Sequence, residues 1–203
     1  MADPPARSRW REHALILGHF LRHPGTVGTV VPSSAWLAHE MVGALEPGRP
    51  QVVVELGPGT GAFTEAILER LRTGDRLLAV ELEPAFVNQL HDRFPSLVCA
   101  CASATELVEL ARARSFQAVD HIVSGLPFAS LPAATSRQVL DAIQRVLRPG
   151  GTFTTFQYLH AFMLPRAAAF RREVDARLGG PASRSTVFRN FPPAFVLRWR
   201  RGQ

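Results

Sequence analysis

Residues 52–61, which read Val-Val-Val-Glu-Leu-Gly-Pro-Gly-Thr-Gly, decide the fold of this chain. The β-branched run predicts a buried parallel strand. A helical pattern begins at Ala62, directly after the three glycines. A glycine-rich turn between a strand and a helix lets a ligand approach bare backbone at the helix N-terminus. The stretch therefore predicts a site for a nucleoside-like ligand at the end of the first strand.

The glycine spacing and two acidic residues indicate which nucleoside binds. A dinucleotide fingerprint needs G-x-G-x-x-G, whereas this chain has G-x-G-x-G with Glu55 two residues before the first glycine. A carboxylate there repels a pyrophosphate and suits a cationic amino-acid group. Glu81 ends the next apolar run, 20 residues after Gly61, where an acid typically takes ribose hydroxyls. Together, E-L-G-P-G-T-G and A-V-E resemble the S-adenosylmethionine site of class I methyltransferases. The simpler alternative is an ordinary glycine-rich turn with a solvated Glu81.

Composition predicts one α/β domain with a sizeable core, because the chain has 203 residues and 46% of them are hydrophobic. All 23 basic residues are arginine and the net charge is +6, which favours an anionic partner, either nucleic acid or an acidic membrane surface. Cys99 and Cys101 imply neither a disulfide framework nor a metal site. We expect no transmembrane helix and no signal peptide, and hence a cytoplasmic protein.

Strands and helices alternate regularly, which predicts a parallel sheet with helices on both faces. Strands are expected at 51–56, 76–82, 97–101, 118–124 and 151–157, and helices at 62–72, 84–93, 105–113, 133–147 and 161–178. Leu147-Arg148-Pro149-Gly150-Gly151 is expected to be a turn. Two further runs, 183–190 and 194–200, suit the antiparallel hairpin that closes a seven-stranded class I methyltransferase sheet.

Ligands of such sheets bind at the carboxyl ends of the strands. The residues expected to bind the cofactor are Glu55, Gly57, Pro58, Gly59, Thr60, Gly61, Glu81, Leu82, Ser103, Ala104, Ser124 and Leu126. Ser103 stands where an aspartate often accepts from the adenine amino group, and its hydroxyl is a weaker acceptor.

The segment after the fourth strand, S-G-L-P-F over residues 124–128, is expected to face the methyl group. It is similar to the N-L-P-Y of ribosomal RNA adenine dimethylases, in which an amide accepts from the aryl amine and an aromatic ring stacks on the base. Leu126, Pro127 and an aromatic residue, Phe128, are kept. Gly125 stands where the asparagine would be.

The whole chain, from residue 7 to about 200, resembles the bacterial phospholipid N-methyltransferases, which act on phosphatidylethanolamine. The resemblance rests on V-P-S-S at 31–34, E-L-G-P-G-T-G, S-G-L-P-F, L-R-P-G-G and F-Q-Y at 156–158. It implies stepwise N-methylation of phosphatidylethanolamine toward phosphatidylcholine by a peripheral protein on the inner face of the cell membrane. An ornithine-lipid substrate, taken by the sister enzymes, stays open. We expect no nucleic-acid partner and a monomer in solution.

Three side chains are expected near the amine. Tyr158 ends the fifth strand, and its hydroxyl could accept from the ammonium while its ring holds the methylated nitrogen by cation–π attraction. Phe128 could add a second ring face. His160 is a candidate acid–base group, because histidine titrates near neutral pH. The structural alternatives are a packed strand-end tyrosine and a surface histidine.

Residues 1–46 are expected to form a helical region for membrane contact or for covering the cofactor, and residues 47–203 the methyltransferase core. A helix is predicted over 7–23, with an apolar face and flanking arginines that fit a headgroup plane. Its membrane-facing residues are Arg7, Arg9, Trp10, Arg11, Leu17 and Phe20. Packing of this helix on the sheet is the alternative.

Two other functions remain open from the sequence. One is RNA adenine N6-methylation, which accounts for the basic charge and the Leu-Pro-aromatic signature but not for the missing amide. The other is a non-catalytic protein that binds S-adenosylmethionine or a membrane, because a fold alone does not give a function.

Overall fold

A computed structural model describes residues 33–46 and 48–203, and the residues from Ser33 to Gln203 form one compact unit. The helix predicted over 7–23 lies outside the described residues. So do the residues expected at the membrane, which are Arg7, Arg9, Trp10, Arg11, Leu17 and Phe20. The domain boundary between residues 46 and 47 stays a prediction.

Within the described residues, seven strands form one mixed sheet. They are β1 (Val52–Leu56), β2 (Arg76–Glu81), β3 (Cys99–Cys101), β4 (Val119–Ser124), β5 (Leu147–Tyr158), β6 (Ser183–Val187) and β7 (Ala194–Arg200). Their order is β3-β2-β1-β4-β5-β7-β6. The first five are parallel, and β7 pairs antiparallel with both β5 and β6. The predicted parallel sheet and closing hairpin are therefore confirmed.

The described residues contain six α-helices, of which the first precedes β1 and the other five connect consecutive strands from β1 to β6. They are α1 (Ala35–Met41), α2 (Ala62–Leu68), α3 (Pro84–Arg93), α4 (Leu107–Ala113), α5 (Ala133–Val146) and α6 (Pro165–Leu178). Short 3₁₀ turns lie at Ala104–Glu106 and Leu159–Ala161. The predicted alternation is confirmed, although most element ends move by a few residues. None of the described helices is long and apolar enough to cross a membrane.

The two faces of the sheet bury different helices, because successive strand residues point to opposite sides. From β1, Val54 and Leu56 join the cluster that contains residues of α4, α5 and α6. Val53 joins the cluster that contains residues of α1 and α2. A third, smaller cluster packs α3 near β2 and β3. The strand is thus apolar on both faces, and Glu55 is its one charged residue.

The prediction of a turn at 147–151 before the fifth strand is wrong, because β5 already begins at Leu147. Leu147 pairs with Val119 and Thr152 pairs with His121, so the intervening residues form an irregularity in the ladder. Gly150 and Gly151 are held there by backbone hydrogen bonds to Arg201, of 2.8 Å each. The turn-like residues are accommodated as a bulge because Arg201, which follows β7, pairs with their backbone.

Helix α1 is tied to the hairpin at the site end of the sheet. The Ser34 hydroxyl caps the helix by accepting from the Leu37 N–H at 3.2 Å. The Ser34 N–H donates to Asn190 Oδ1, between β6 and β7, at 2.9 Å. The start of α1 is thereby fixed against the loop that follows β6.

Candidate cofactor and active site

The loop after β1 needs glycine for two different reasons. Gly57, Gly59 and Gly61 have φ values of 68°, 55° and 89°, a region that other residues rarely adopt. A Cβ atom at Gly57 would lie 2.7 Å from a Leu126 side-chain atom, and one at Gly61 would lie 2.9 Å from Leu90. A Cβ at Gly59 would meet nothing within 4 Å. Gly57 and Gly61 therefore permit tight packing, whereas Gly59 faces open space.

Backbone and arginine contacts hold this loop in place. The Gly61 N–H donates to the Pro58 carbonyl at 3.0 Å. The Thr60 carbonyl accepts from the Arg93 guanidinium, which also pairs with Glu65 on α2 at 3.2 Å. The loop is anchored from α3, so its open side is available to a ligand.

Glu81, the last residue of β2, binds the glycine loop directly. Its Oε2 accepts from the Gly59 N–H at 3.0 Å, and its Oε1 accepts from the N–H groups of Leu82 and Glu83 at 2.8 and 3.0 Å. A carboxylate has about four lone-pair directions, so one acceptor direction stays open on Oε2. Burial raises the pKa of Glu81, although these three hydrogen bonds act against it.

Glu55 lies beneath the loop and has no exposed surface. Its Oε2 accepts from the Thr64 hydroxyl at 2.7 Å, and its Oε1 is buried without a hydrogen-bond partner. Burial raises the pKa of this carboxyl to about 8, and the Thr64 hydrogen bond only partly offsets it. Because Glu55 is buried, its charge can affect a ligand above the loop without touching it. A direct contact between Glu55 and a ligand requires a small shift of the loop or an intervening water.

The loops after β1 and β4 pack backbone against backbone. The Gly125 N–H donates to the Leu56 carbonyl at 2.8 Å, and a Cβ at Gly125 would lie 2.6 Å from the Gly57 carbonyl oxygen. Ser124 is fully buried, and its hydroxyl accepts from the Leu126 N–H at 3.3 Å. Position 125 has no room for the asparagine of adenine-modifying enzymes unless the glycine loop moves.

Ser103 is used as a helix cap in this structure. Its hydroxyl accepts from the Thr105 N–H at 3.2 Å, and the Glu106 carboxylate accepts from the Ser103 N–H at 3.0 Å, which completes a capping box. The short 3₁₀ turn starts at Ala104. A contact of Ser103 or Ala104 with adenine stays a prediction.

A row of aromatic rings leads from the glycine loop to the end of β5. Phe63, in the first turn of α2, lies 5.8 Å from Phe156 between ring centroids, and Phe156 lies 5.4 Å from Tyr158. The Tyr158 ring stacks on His160 at 5.7 Å with an interplanar angle of 10°. Burial raises the pKa of Tyr158, so its hydroxyl is neutral at physiological pH. The structure thus brings Tyr158 and His160 together at the carboxyl edge.

Phe128 does not present a ring face to this edge. It is 5% exposed, stacks on Phe170 at 4.5 Å and meets Phe153 edge-on at 6.0 Å. The expected contact of Phe128 with substrate is corrected to a core position, because the segment after β4 turns the ring toward α6.

Two residues of this site were missed from the sequence. Thr64 is the hydrogen-bond donor to Glu55, and Phe63 starts the aromatic row. The sequence feature that could have identified both residues is their position in the first helical turn after Gly61, where side chains lie near the end of β1.

Comparison with known proteins defines the class and then the family. A family model described as a methyltransferase domain matches residues 54–153. The ornithine lipid N-methyltransferase of Singulisphaera acidiphila is 32% identical over 146 residues, which are 70% of this chain and 76% of that protein. The chain belongs to the family of S-adenosylmethionine-dependent methyltransferases that includes this enzyme.

A second group of relatives matches only part of the chain. The ribosomal RNA small subunit methyltransferase A of Burkholderia lata is 37% identical over 92 residues, which are 45% of this chain and 32% of that protein. The shared region is thus less than a third of the RNA enzyme.

Solved structures show the same fold. The 1,6-didemethyltoxoflavin-N1-methyltransferase of Burkholderia thailandensis, solved with S-adenosylhomocysteine, has a TM-score of 0.68 at 22% identity and covers 100% of this chain and 94% of its own. An O-methyltransferase of Streptomyces achromogenes, solved with S-adenosylmethionine, has a TM-score of 0.61 at 16% identity. The match covers 100% of this chain and 92% of the O-methyltransferase. At these identities the likeness concerns the fold alone.

The cofactor is S-adenosylmethionine, and the residues of the site fit it. The open acceptor direction on Glu81 Oε2 suits a ribose hydroxyl. The space above Gly59 admits a ligand against bare backbone. The unpartnered oxygen of Glu55 suits a cationic group nearby. We therefore expect the adenosyl part on Glu81 and the amino-acid part over the glycine loop.

We predict that Gly59→Ala weakens binding of S-adenosylhomocysteine about tenfold or more, because the added methyl enters the open side of the loop. Isothermal titration calorimetry measures the affinity. Gly150→Ala is the matched control, because Gly150 also has a left-handed φ, of 73°, in the bulge of β5. Both substitutions cost about 1–2 kcal/mol of stability through backbone strain. Equal affinities in the two variants would place the cofactor elsewhere.

We predict that the cofactor-free protein loses stability as the pH rises from 7 to 8, by about 1 kcal/mol per pH unit. The folded pKa of Glu55, about 8, lies above its ordinary 4.5, so the folded state holds a proton that the unfolded state has released. The window starts at pH 7 because His121, whose pKa burial lowers to about 4, opposes this slope while the unfolded histidine still binds a proton, and this effect fades above its ordinary pKa of 6.5.

Chemical denaturation at several pH values measures this slope. Glu55→Gln reduces it, and a residual slope comes from Glu81, whose pKa burial also raises. The control Glu65→Gln, on the exposed face of α2, keeps the wild-type slope. An unchanged slope in Glu55→Gln contradicts the assignment.

Proposed function

We propose that this enzyme N-methylates the primary amine of a membrane-lipid headgroup. The proposed substrate is phosphatidylethanolamine, which is methylated stepwise toward phosphatidylcholine. The observation that carries the proposal is Gly125, whose Cβ position lies 2.6 Å from the Gly57 carbonyl oxygen. An aryl amine is a weak nucleophile and needs the amide that this position excludes, whereas an alkyl amine needs only deprotonation and positioning.

Ornithine lipid is the second candidate substrate. The relative that is 32% identical over most of this chain is an ornithine lipid N-methyltransferase. Both lipids present a primary alkyl amine at a bilayer surface, so the same site chemistry serves either one.

The transfer needs one proton removed and one bond exchanged. S-adenosylmethionine, when bound, supplies a methyl group on a positively charged sulfur. The neutral amine's lone pair would then form the N–C bond while the C–S bond would break and leave its electron pair on sulfur. Before each transfer the ammonium gives up a proton, which the chain must accept or pass to solvent.

Tyr158 is the residue that we propose orients the amine. Its neutral hydroxyl has no hydrogen-bond partner among the described residues and can accept from the ammonium. Its ring, packed edge-on to Phe156, offers a π face to a methylated nitrogen. His160, exposed and stacked on that ring, is the candidate to take the proton to solvent.

RNA methylation is less well supported. The RNA enzymes match less than half of this chain, and the chain covers about a third of their length. Position 125 also lacks the amide. We propose an anionic membrane surface as the partner, which suits the net charge of +6.

The test supplies methyl-labelled S-adenosylmethionine with vesicles containing phosphatidylethanolamine, vesicles containing ornithine lipid, and RNA, in parallel. We expect mono-, di- and trimethylated phosphatidylethanolamine by mass spectrometry. Label in ornithine lipid alone would identify ornithine lipid as the substrate and would leave the proposed amine methylation unchanged. Label in RNA alone contradicts the lipid proposal.

A variant separates the enzyme from an inert binding protein. Glu81→Gln should lower labelling strongly, because an amide NH₂ replaces one of the two oxygens that accept from the loop N–H groups and from ribose, and vesicle binding should persist. Labelling at the wild-type rate in Glu81→Gln contradicts the site.

We predict that Tyr158→Phe lowers kcat on the lipid about 10- to 100-fold, because one hydrogen bond to a charged amine is lost. The affinity for S-adenosylhomocysteine should stay within about twofold of wild type. Phe156→Leu is the packing control and should lower kcat less. Equal rates in Tyr158→Phe and wild type contradict the assigned function of the hydroxyl.

A further inference from the structure

Exposed apolar side chains gather at one end of the sheet. Among the described residues, six large hydrophobic side chains are exposed, and five of them form what we call the apolar rim. The rim consists of Trp36 (58% exposed), Met163 (82%), Leu164 (52%), Phe188 (74%) and Phe191 (73%). The sixth, Val98, precedes β3 at the opposite end of the sheet.

The rim belongs to the edge at which the proposed active site opens. Met163 and Leu164 follow β5 within six residues of Tyr158, and Phe188 and Phe191 lie in the β6–β7 loop. The two segments are joined there, because the Leu159 N–H donates to the Pro193 carbonyl at 2.9 Å. A lipid that reaches Tyr158 from a bilayer would pass this edge.

Defined contacts hold the rim's loop against α1. The Asn190 side chain accepts from the Ser34 N–H and donates to the Pro192 carbonyl at 2.7 Å, and Asn190 is itself buried. The guanidinium of Arg189 lies 4.5 Å from the centroid of the Trp36 ring. Phe188 and Phe191 are therefore presented to solvent on either side of a fixed, buried asparagine.

The two segments that carry four of the five rim residues are basic. Residues 158–172 and 183–193 contain five arginines and no aspartate or glutamate. Arg166 and Arg189 are both exposed. Aromatic rings beside arginines suit the headgroup level of a membrane, where rings enter the interface and guanidinium groups meet lipid phosphates. An apolar cluster of this kind on a soluble surface marks an interaction site.

Resting on the proposed lipid function, we propose that the apolar rim is the surface on which the enzyme docks to an anionic bilayer. Phe188, Phe191, Met163 and Leu164 enter the interface, and Trp36 with Arg189 lies at headgroup level. Docking in this orientation turns the carboxyl edge of the sheet, with Tyr158, toward the lipid amines.

The test measures sedimentation with vesicles of phosphatidylcholine and phosphatidylglycerol, which carry no primary amine. The full chain with Phe188→Ser and Phe191→Ser should bind about tenfold more weakly or worse, because two rings no longer leave water. Met163→Ser with Leu164→Ser, an independent variant, should also weaken binding. Val98→Ser, an exposed apolar control away from the rim, should bind within about twofold of wild type.

Unchanged affinity for S-adenosylhomocysteine in each variant shows that the core is intact. Rim variants that bind vesicles like wild type overturn the docking surface. A change in sedimentation mass without loss of vesicle binding assigns the rim to a second copy of the chain, and this also overturns the proposal.

The two proposals fail separately. If rim variants lose vesicle binding but no lipid amine is labelled by wild type, the docking surface stands and the proposed reaction falls. If wild type labels lipid and the rim variants label and bind equally well, the reaction stands and the docking surface falls.

Discussion

The hydrogen bond from the Gly59 N–H to Glu81 Oε2, 3.0 Å long, is the contact on which the site depends. It ties the loop after β1 to the end of β2. One side of the glycine loop is therefore packed against the protein, and the other side stays open to a ligand. The loop after β4 then packs against it, because Gly57 and Gly125 leave no side chain between them. Under the proposed function, this backbone contact bears on the substrate, since a glycine at 125 provides no amide partner for an aryl amine, whereas an alkyl amine needs none.

Two buried carboxyls with raised pKa values lie under the same loop. Glu81 keeps three backbone donors, whereas Glu55 has only the Thr64 hydroxyl. Without a ligand, the proton stays on Glu55 over much of the neutral range. A cation held over the loop favours the ionised form by Coulomb attraction. Cofactor binding and the loss of that proton are therefore linked.

Local patterns predicted the core of the fold well. The strand, glycine turn and helix around residue 57, the acid at 81 and the C-terminal hairpin each follow from spacing that acts within one supersecondary unit. The bulge at 148–151 was missed because it depends on Arg201, which is distant in sequence. Phe128 was misplaced because only α6 packing decides which way its ring turns. The Gly125 contact and the apolar rim are likewise tertiary properties that no local pattern encodes.

The most direct test of the account is a crystal structure of the enzyme with S-adenosylhomocysteine. The account predicts a ribose hydroxyl on Glu81 Oε2 and the homocysteine part over Gly59. It also predicts that the cofactor sulfur faces the side of the site on which Tyr158 lies. A cofactor bound away from the β1 loop, or a ribose that makes no contact with Glu81, would contradict it.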